Sequence, residues 1–175
     1  VHPVLLKKGL QIAKEQSLKV SAHFMESQAE REWLDSAEGG FQEFFNSLLN
    51  QTQPTTDAVE FLENFNGIKT IFTHATKINN KELEIIKTNM HTIVHCPISN
   101  RLLGNGALDI DSLDNASIPW ICATDGLSSN YKLDLLEEIK CALFMHHSRP
   151  LLPLAKKLLR SITKDAADAL GVNSG

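Results

Sequence analysis

Three stretches of the chain share one layout: Leu18-Lys19-Val20-Ser21-Ala22-His23, Thr70-Ile71-Phe72-Thr73-His74 and Trp120-Ile121-Cys122-Ala123-Thr124-Asp125. Each is a short, largely apolar run that ends in a side chain capable of binding a metal or moving a proton, and His23, His74 and Asp125 fall 51 positions apart. Runs of this length and composition read as strands. In parallel α/β folds and (β/α) barrels the functional groups stand at the carboxyl ends of strands, so polar residues capping apolar runs are where chemistry is expected. The three stretches therefore predict parallel strands whose common carboxyl edge carries two imidazoles and a carboxylate, the layout of a metal-dependent barrel enzyme.

The segments between these runs are long enough for helices and carry helix punctuation. Pro3 suits a first helical turn, with Leu5, Ile12 and Ala13 as the buried stripe. A helical region over residues 29–49 is interrupted at Gly39-Gly40 and closed by the polar stretch 50–56. Asp57 with Glu60, and Asn79 with Glu82, are capping-box signatures that open the next two helices, separated by the Asn66-Gly67 turn into a strand over 68–74. A further strand, 92–96, ends at Pro97, which stops ladder pairing, and a loop rich in Gly and Asn is expected over 98–107. Beyond Asp125, Leu133, Leu136, Ile139 and Leu143 would form the apolar face of a helix with Glu137 and Glu138 opposite, and a last helix over 154–170 would end at Gly171 as its carboxyl-terminal cap. Four strands alternating with helices imply an α/β fold with parallel pairing and right-handed crossovers, a partial (β/α)8 TIM-type barrel of about four strands with outer helices.

Composition narrows the function. A chain of 175 residues, 42% hydrophobic and 22% charged, can bury one core of ordinary size. A net charge of −4 offers no broad cationic surface for phosphates or anionic lipid, which argues against nucleic acid and membrane partners. The apolar runs are too short to span a bilayer and the first residues lack the basic-then-apolar order of a signal peptide. Cys96, Cys122 and Cys141 have no CxxC spacing, so neither a disulfide framework nor a cysteine zinc knuckle is expected, and the setting implied is the cytoplasm.

In His23-Phe24-Met25-Glu26, an imidazole at a strand end and a carboxylate three residues later can face the same opening. Imidazole is a good ligand for zinc or iron, and the carboxylate can shuttle protons between water and substrate. His74 offers a second imidazole, or else a histidine satisfied by backbone at a strand end. Asp125 follows a run so apolar that a metal or an imidazolium would compensate its burial, although the turn-forming residues after it also suit an N-cap. Ser99 and Asn100 could line the pocket or fix their own loop by local hydrogen bonds, and the loop role is the one expected. His95 is left unassigned, and His146-His147 reads as a solvated or capping pair at a helix end. With neither HxE nor PCxxC present, a zinc site of the cytidine-deaminase type is excluded.

The blocks His23-Phe24-Met25-Glu26-Ser27, Thr73-His74-Ala75, His95-Cys96-Pro97-Ile98-Ser99-Asn100 and Thr124-Asp125-Gly126-Leu127-Ser128-Ser129-Asn130 resemble, in order and spacing, the second half of the aminohydrolases of the amidohydrolase superfamily. That group includes adenosylhomocysteine, guanine and aminofutalosine deaminases and the chlorohydrolases. The resemblance implies His23 and Asp125 as ligands of one divalent metal, zinc foremost with iron or manganese as alternatives. It implies Asp125 also as acceptor of a proton from the attacking water. Glu26 would be the acid that protonates a ring nitrogen of the substrate, and His74 the histidine beside the attacking water, both in contact with substrate. The implied reaction is hydrolytic deamination of a small purine-like or aminofutalosine-type molecule, with dechlorination as the variant in the same superfamily and a non-catalytic interaction module as the reading of another class. Members of the group also carry an HxH pair on the first barrel strand, which this chain lacks, so residues 1–175 are expected to be the carboxyl-terminal half of a barrel of roughly 400 residues, inactive alone. The open seam of a half-barrel leaves unpaired strand edges, so a homo-oligomer is a further expectation.

Overall fold

The computed structural model describes residues 2–172. Helices alternate with four strands: α1 (Pro3–Glu15), β1 (Val20–Phe24), α2 (Gln28–Ser36), α3 (Gly40–Leu49), α4 (Ala58–Glu63), β2 (Thr70–His74), α5 (Asn80–Thr88), β3 (Thr92–His95), α6 (Pro97–Leu102), α7 (Ile110–Asn115), β4 (Trp120–Cys122), α8 (Leu135–Met145), α9 (Leu151–Ser161) and α10 (Lys164–Leu170). The strands form one sheet in the order β1-β2-β3-β4, and every pair is parallel. Parallel neighbours need a crossover connection, and the helices between the strands supply it. The result is a partial (β/α) barrel, as the sequence predicts.

The pleat sorts strand residues onto two faces. Phe24, Phe72, Ile93 and Trp120 point to the helical layer and pack with Leu62, Phe65, Ile86, Leu154 and Leu158 in the main core. The opposite face carries the smaller cluster of Val94, Cys96 and Ile121, against which Ile71, Ala123 and the α10 residues Ala166 and Ala169 pack. His23 lies in register with Thr73 one strand over. The buried carboxylate of Glu82 completes the capping box of α5 and is held by Arg31. No described helix is long and apolar enough to cross a membrane.

Several local expectations change. The segment after Pro97 begins as helix α6: proline at the first helical position brings a preset φ and no amide proton to satisfy, and the Ile98 N–H is taken by the Glu138 carboxylate. The expected last helix is two, because Thr163 leaves helical geometry (φ −125°, ψ −100°) between α9 and α10; Gly171 does cap the second in the left-handed region, at φ 67°. In α8 the buried face is Glu138, Ile139 and Ala142, whereas Leu136 is exposed, so the apolar stripe read from sequence is rotated by a carboxylate that has buried partners. In α1 Leu10 and Ala13 are buried, while Leu5 and Ile12 face solvent.

Candidate active site

Strand β1 delivers His23, and the tight turn after it delivers Glu26. That turn is fixed from below: the Glu30 carboxylate accepts the amide protons of Met25 and Glu26 at 3.0 and 2.8 Å, and Ser27 caps α2 by accepting the Glu30 N–H. Thr76 Oγ1 donates to the Glu26 carbonyl at 2.8 Å, tying this turn to the one after β2.

His74 ends β2 in register with Phe24, and the pleat alone would aim its ring at the helical layer. Its backbone instead adopts φ 75°, followed by Ala75 at φ 52°, and the ring comes to lie with its centroid 5.2 Å from that of His23. Asp125 is likewise left-handed, at φ 58°. Such conformations in residues with a Cβ cost about 1 kcal/mol or more and persist where the surroundings over-determine them, as they do at functional sites.

The four groups named from the sequence converge. His23 Nε2 is 3.6 Å from Asp125 Oδ1, His74 Nε2 is 3.7 Å from Asp125 Oδ2, and Glu26 Oε1 is 3.6 Å from His74 Nε2. Asp125 does not cap a helix, since α8 begins ten residues later, at Leu135, with Asp134 as its N-cap. Burial works to raise the Asp125 carboxyl, but the hydroxyls of Ser99 and Ser129, the Gly126 amide and the nearby His74 outweigh it and hold the group below the ordinary aspartate value. Asp125 is therefore a carboxylate at neutral pH.

Sequence reasoning missed the residues that hold these groups in place. Ser99 Oγ lies 2.8 Å and Ser129 Oγ 2.9 Å from the same oxygen, Asp125 Oδ2. Asn100 Oδ1 lies 2.8 Å from His74 Nδ1, and Asn105 Nδ2 donates to Glu26 Oε1 at 3.3 Å. Ser99 and Asn100 thus act across strands and not within a loop. The available signal for Ser99 and Asn100 was their place in a block of the same series as those that carry His23, His74 and Asp125. His95 and His146 stand apart: both are buried, with their Nε2 atoms 3.1 Å from each other. His146 occupies the carboxyl-terminal cap of α8, its N–H bonded to the Ala142 carbonyl, but its ring is turned inward, while His147 is exposed with Nδ1 3.3 Å from the Phe144 carbonyl. Burial, then the facing His146 and the nearby His74, drive the His95 imidazole down to about 3, and that ring is neutral. Burial also raises the Cys96 and Cys122 thiols, and all three cysteines are free, leaving no reactive thiolate.

The donor set suits a metal. One ligand atom from each of His23, His74 and Asp125 lies within 4.8 Å of the others. Moreover, His74 Nε2 is buried and has no hydrogen-bond partner, an orphaned nitrogen aimed into the cluster. An amide oxygen only accepts, so with Asn100 Oδ1 against it Nδ1 is the donor, and Nε2 is the ring atom that faces the site. Nitrogen and carboxylate oxygen are the ligand types of catalytic zinc and of non-haem iron. A cavity of about 310 Å³ lies elsewhere, at the amino ends of the strands between Lys69, Thr92, Trp120, Lys157 and Asp168.

The amidohydrolase family profile matches residues 1–175. An aminodeoxyfutalosine deaminase from a Nitratiruptor species is 50% identical over 175 residues, which is 100% of this chain and 43% of that protein. A solved aminofutalosine deaminase from Helicobacter pylori, in complex with methylthio-coformycin, superposes with a TM-score of 0.94 at 34% identity and covers 100% of this chain and 44% of its own. An adenosine deaminase from Xanthomonas campestris, solved with bound zinc, shares the fold at a TM-score of 0.70 and 23% identity, covering 95% of this chain and 35% of its own. The chain spans less than half the length of these proteins.

Proposed function

The chain belongs to the amidohydrolase family, and from that premise we propose that it forms the carboxyl-terminal half of a hydrolytic deaminase barrel, acting on a small purine-like substrate of the aminofutalosine type. The observation that carries this reading is the convergence of His23, His74, Glu26 and Asp125 within 3.7 Å steps at one end of a parallel sheet. The 50% identity to an aminodeoxyfutalosine deaminase supports the substrate class.

His23 and Asp125 would hold a divalent ion, zinc foremost, and the free His74 Nε2 faces the same space. Such an ion supplies Lewis acidity that makes a water molecule a stronger acid at neutral pH. Asp125, kept ionised by its two serine hydroxyls, accepts a proton from the attacking water. His74 Nε2 orients that water by accepting its hydrogen bond. Glu26, steadied by Asn105, gives a proton to the ring nitrogen next to the carbon under attack, so that the ring can accept the oxygen without carrying negative charge. The proton held by Asp125 passes to the amino group, which leaves as ammonia, and the proton of the added hydroxyl returns to Glu26 as the carbonyl forms.

The test is ammonia release from an aminofutalosine-type nucleoside and from adenosine by this chain joined to the remaining half of the barrel. Chloride release from a chlorinated analogue without ammonia release would move the reading to a chlorohydrolase, and metal-free, inert protein would leave an interaction module.

A further inference from the structure

Glu138 is a carboxylate with no exposure at all, placed on the helical layer and not used by the chemistry above. Its two oxygens reach two different segments of the site. Oε2 accepts the Ile98 N–H at 3.0 Å, and the next residue, Ser99, donates to Asp125 Oδ2. Oε1 accepts Asn130 Nδ2 at 2.5 Å, and the preceding residue, Ser129, donates to that same Asp125 oxygen. Asn130 Nδ2 also reaches the carbonyl of Thr124, the neighbour of Asp125, at 2.7 Å. Each arm therefore ends, one residue on, at a hydroxyl that touches Asp125 Oδ2.

We propose that Glu138 is a positioning residue that, by bridging Ile98 and Asn130, sets both serine hydroxyls on Asp125 Oδ2 and so turns Oδ1 toward His23. The proposal rests on the reading of Asp125 as a metal ligand and proton acceptor. Burial raises the Glu138 carboxyl, against the opposing pull of the Ile98 amide and Asn130, so its burial is compensated chiefly by these two donors. A carboxylate alone can accept from both at once. Glutamine keeps the shape but offers one carbonyl oxygen and one NH2, which must meet either the Ile98 N–H or Asn130 Nδ2 as donor against donor.

The experiment compares Glu138→Gln with Glu82→Gln in the chain joined to its remaining half, because Glu82 is equally buried and bridges Arg31 and the α5 cap away from the site. The readouts are zinc affinity by chelator competition, kcat and KM separately, and thermal midpoint. Glu138→Gln is expected to weaken zinc and lower kcat by roughly 10- to 100-fold, as displaced supports of metal ligands do, with KM little changed. Glu82→Gln is expected to lower the thermal midpoint and leave zinc affinity and kcat as they were. Equal zinc affinity in Glu138→Gln and wild type overturns the proposal, as does equal loss in the two variants. If Glu138→Gln does not fold, Asn130→Ala severs the Oε1 arm, and unchanged zinc affinity there overturns it equally. Wild-type protein that binds zinc yet releases no ammonia refutes the deaminase reading alone, since zinc affinity still reports on Glu138.

Discussion

His74 Nδ1 lies 2.8 Å from Oδ1 of Asn100, a contact between the end of β2 and the first turn of α6 across 26 residues of chain. It fixes which ring nitrogen carries the proton and points the other, unpartnered one into the site. Asn100→Ala in the joined barrel is therefore expected to reduce kcat by roughly 10- to 100-fold with a smaller effect on KM. Steady-state kinetics decide it: full kcat would mean that packing by itself orients the ring.

Glu26→Gln separates proton transfer from metal binding. Glu26 is within 3.6 Å of His74 but is not among the metal-donor cluster, so the variant is expected to retain zinc by elemental analysis while kcat falls by roughly two to four powers of ten, the range for loss of a general acid or base. Full turnover would remove Glu26 from proton transfer.

Acid should destabilise the fold through His91. Its Nδ1 accepts the Thr70 N–H at 3.2 Å, and burial depresses its imidazole from 6.5 to about 4. The unfolded chain thus takes up this proton first as pH falls. The stabilisation is complete above about pH 6.5 and is lost progressively down to about pH 4, a total on the order of 3 kcal/mol for this group. Urea midpoints measured across that window should fall for wild type and fall less for His91→Gln; parallel curves would show that other groups govern the acid limb.

Residues 1–175 prepared alone should self-associate. Among the described residues β1 and β4 each have a single strand neighbour, which leaves one side of each open to pairing with another chain. Light scattering is expected to report dimers or larger species that disappear when the remaining half-barrel is supplied. A stable monomer would show that the edges are protected.

The sequence by itself determined the order of the strands and which side chains stand at their carboxyl ends. Apolar runs punctuated by polar ends, and capping signals such as Asn79 with Glu82, are local patterns, and local patterns are what periodicity and side-chain chemistry encode. His23, Glu26, His74 and Asp125 were legible because each caps or follows such a run. Only the tertiary structure decided how those groups face one another. The pleat would have sent His74 to the far side of the sheet, and the left-handed backbone at its position, with Asn100 brought from another strand's end, turned it inward. Glu138 reads as solvent-facing on a helical wheel, yet its partners Ile98 and Asn130 lie on other segments. Hydrogen bonds between residues distant in the chain leave no local periodic trace, so the supports of a site emerge only when the strands that carry them are laid side by side.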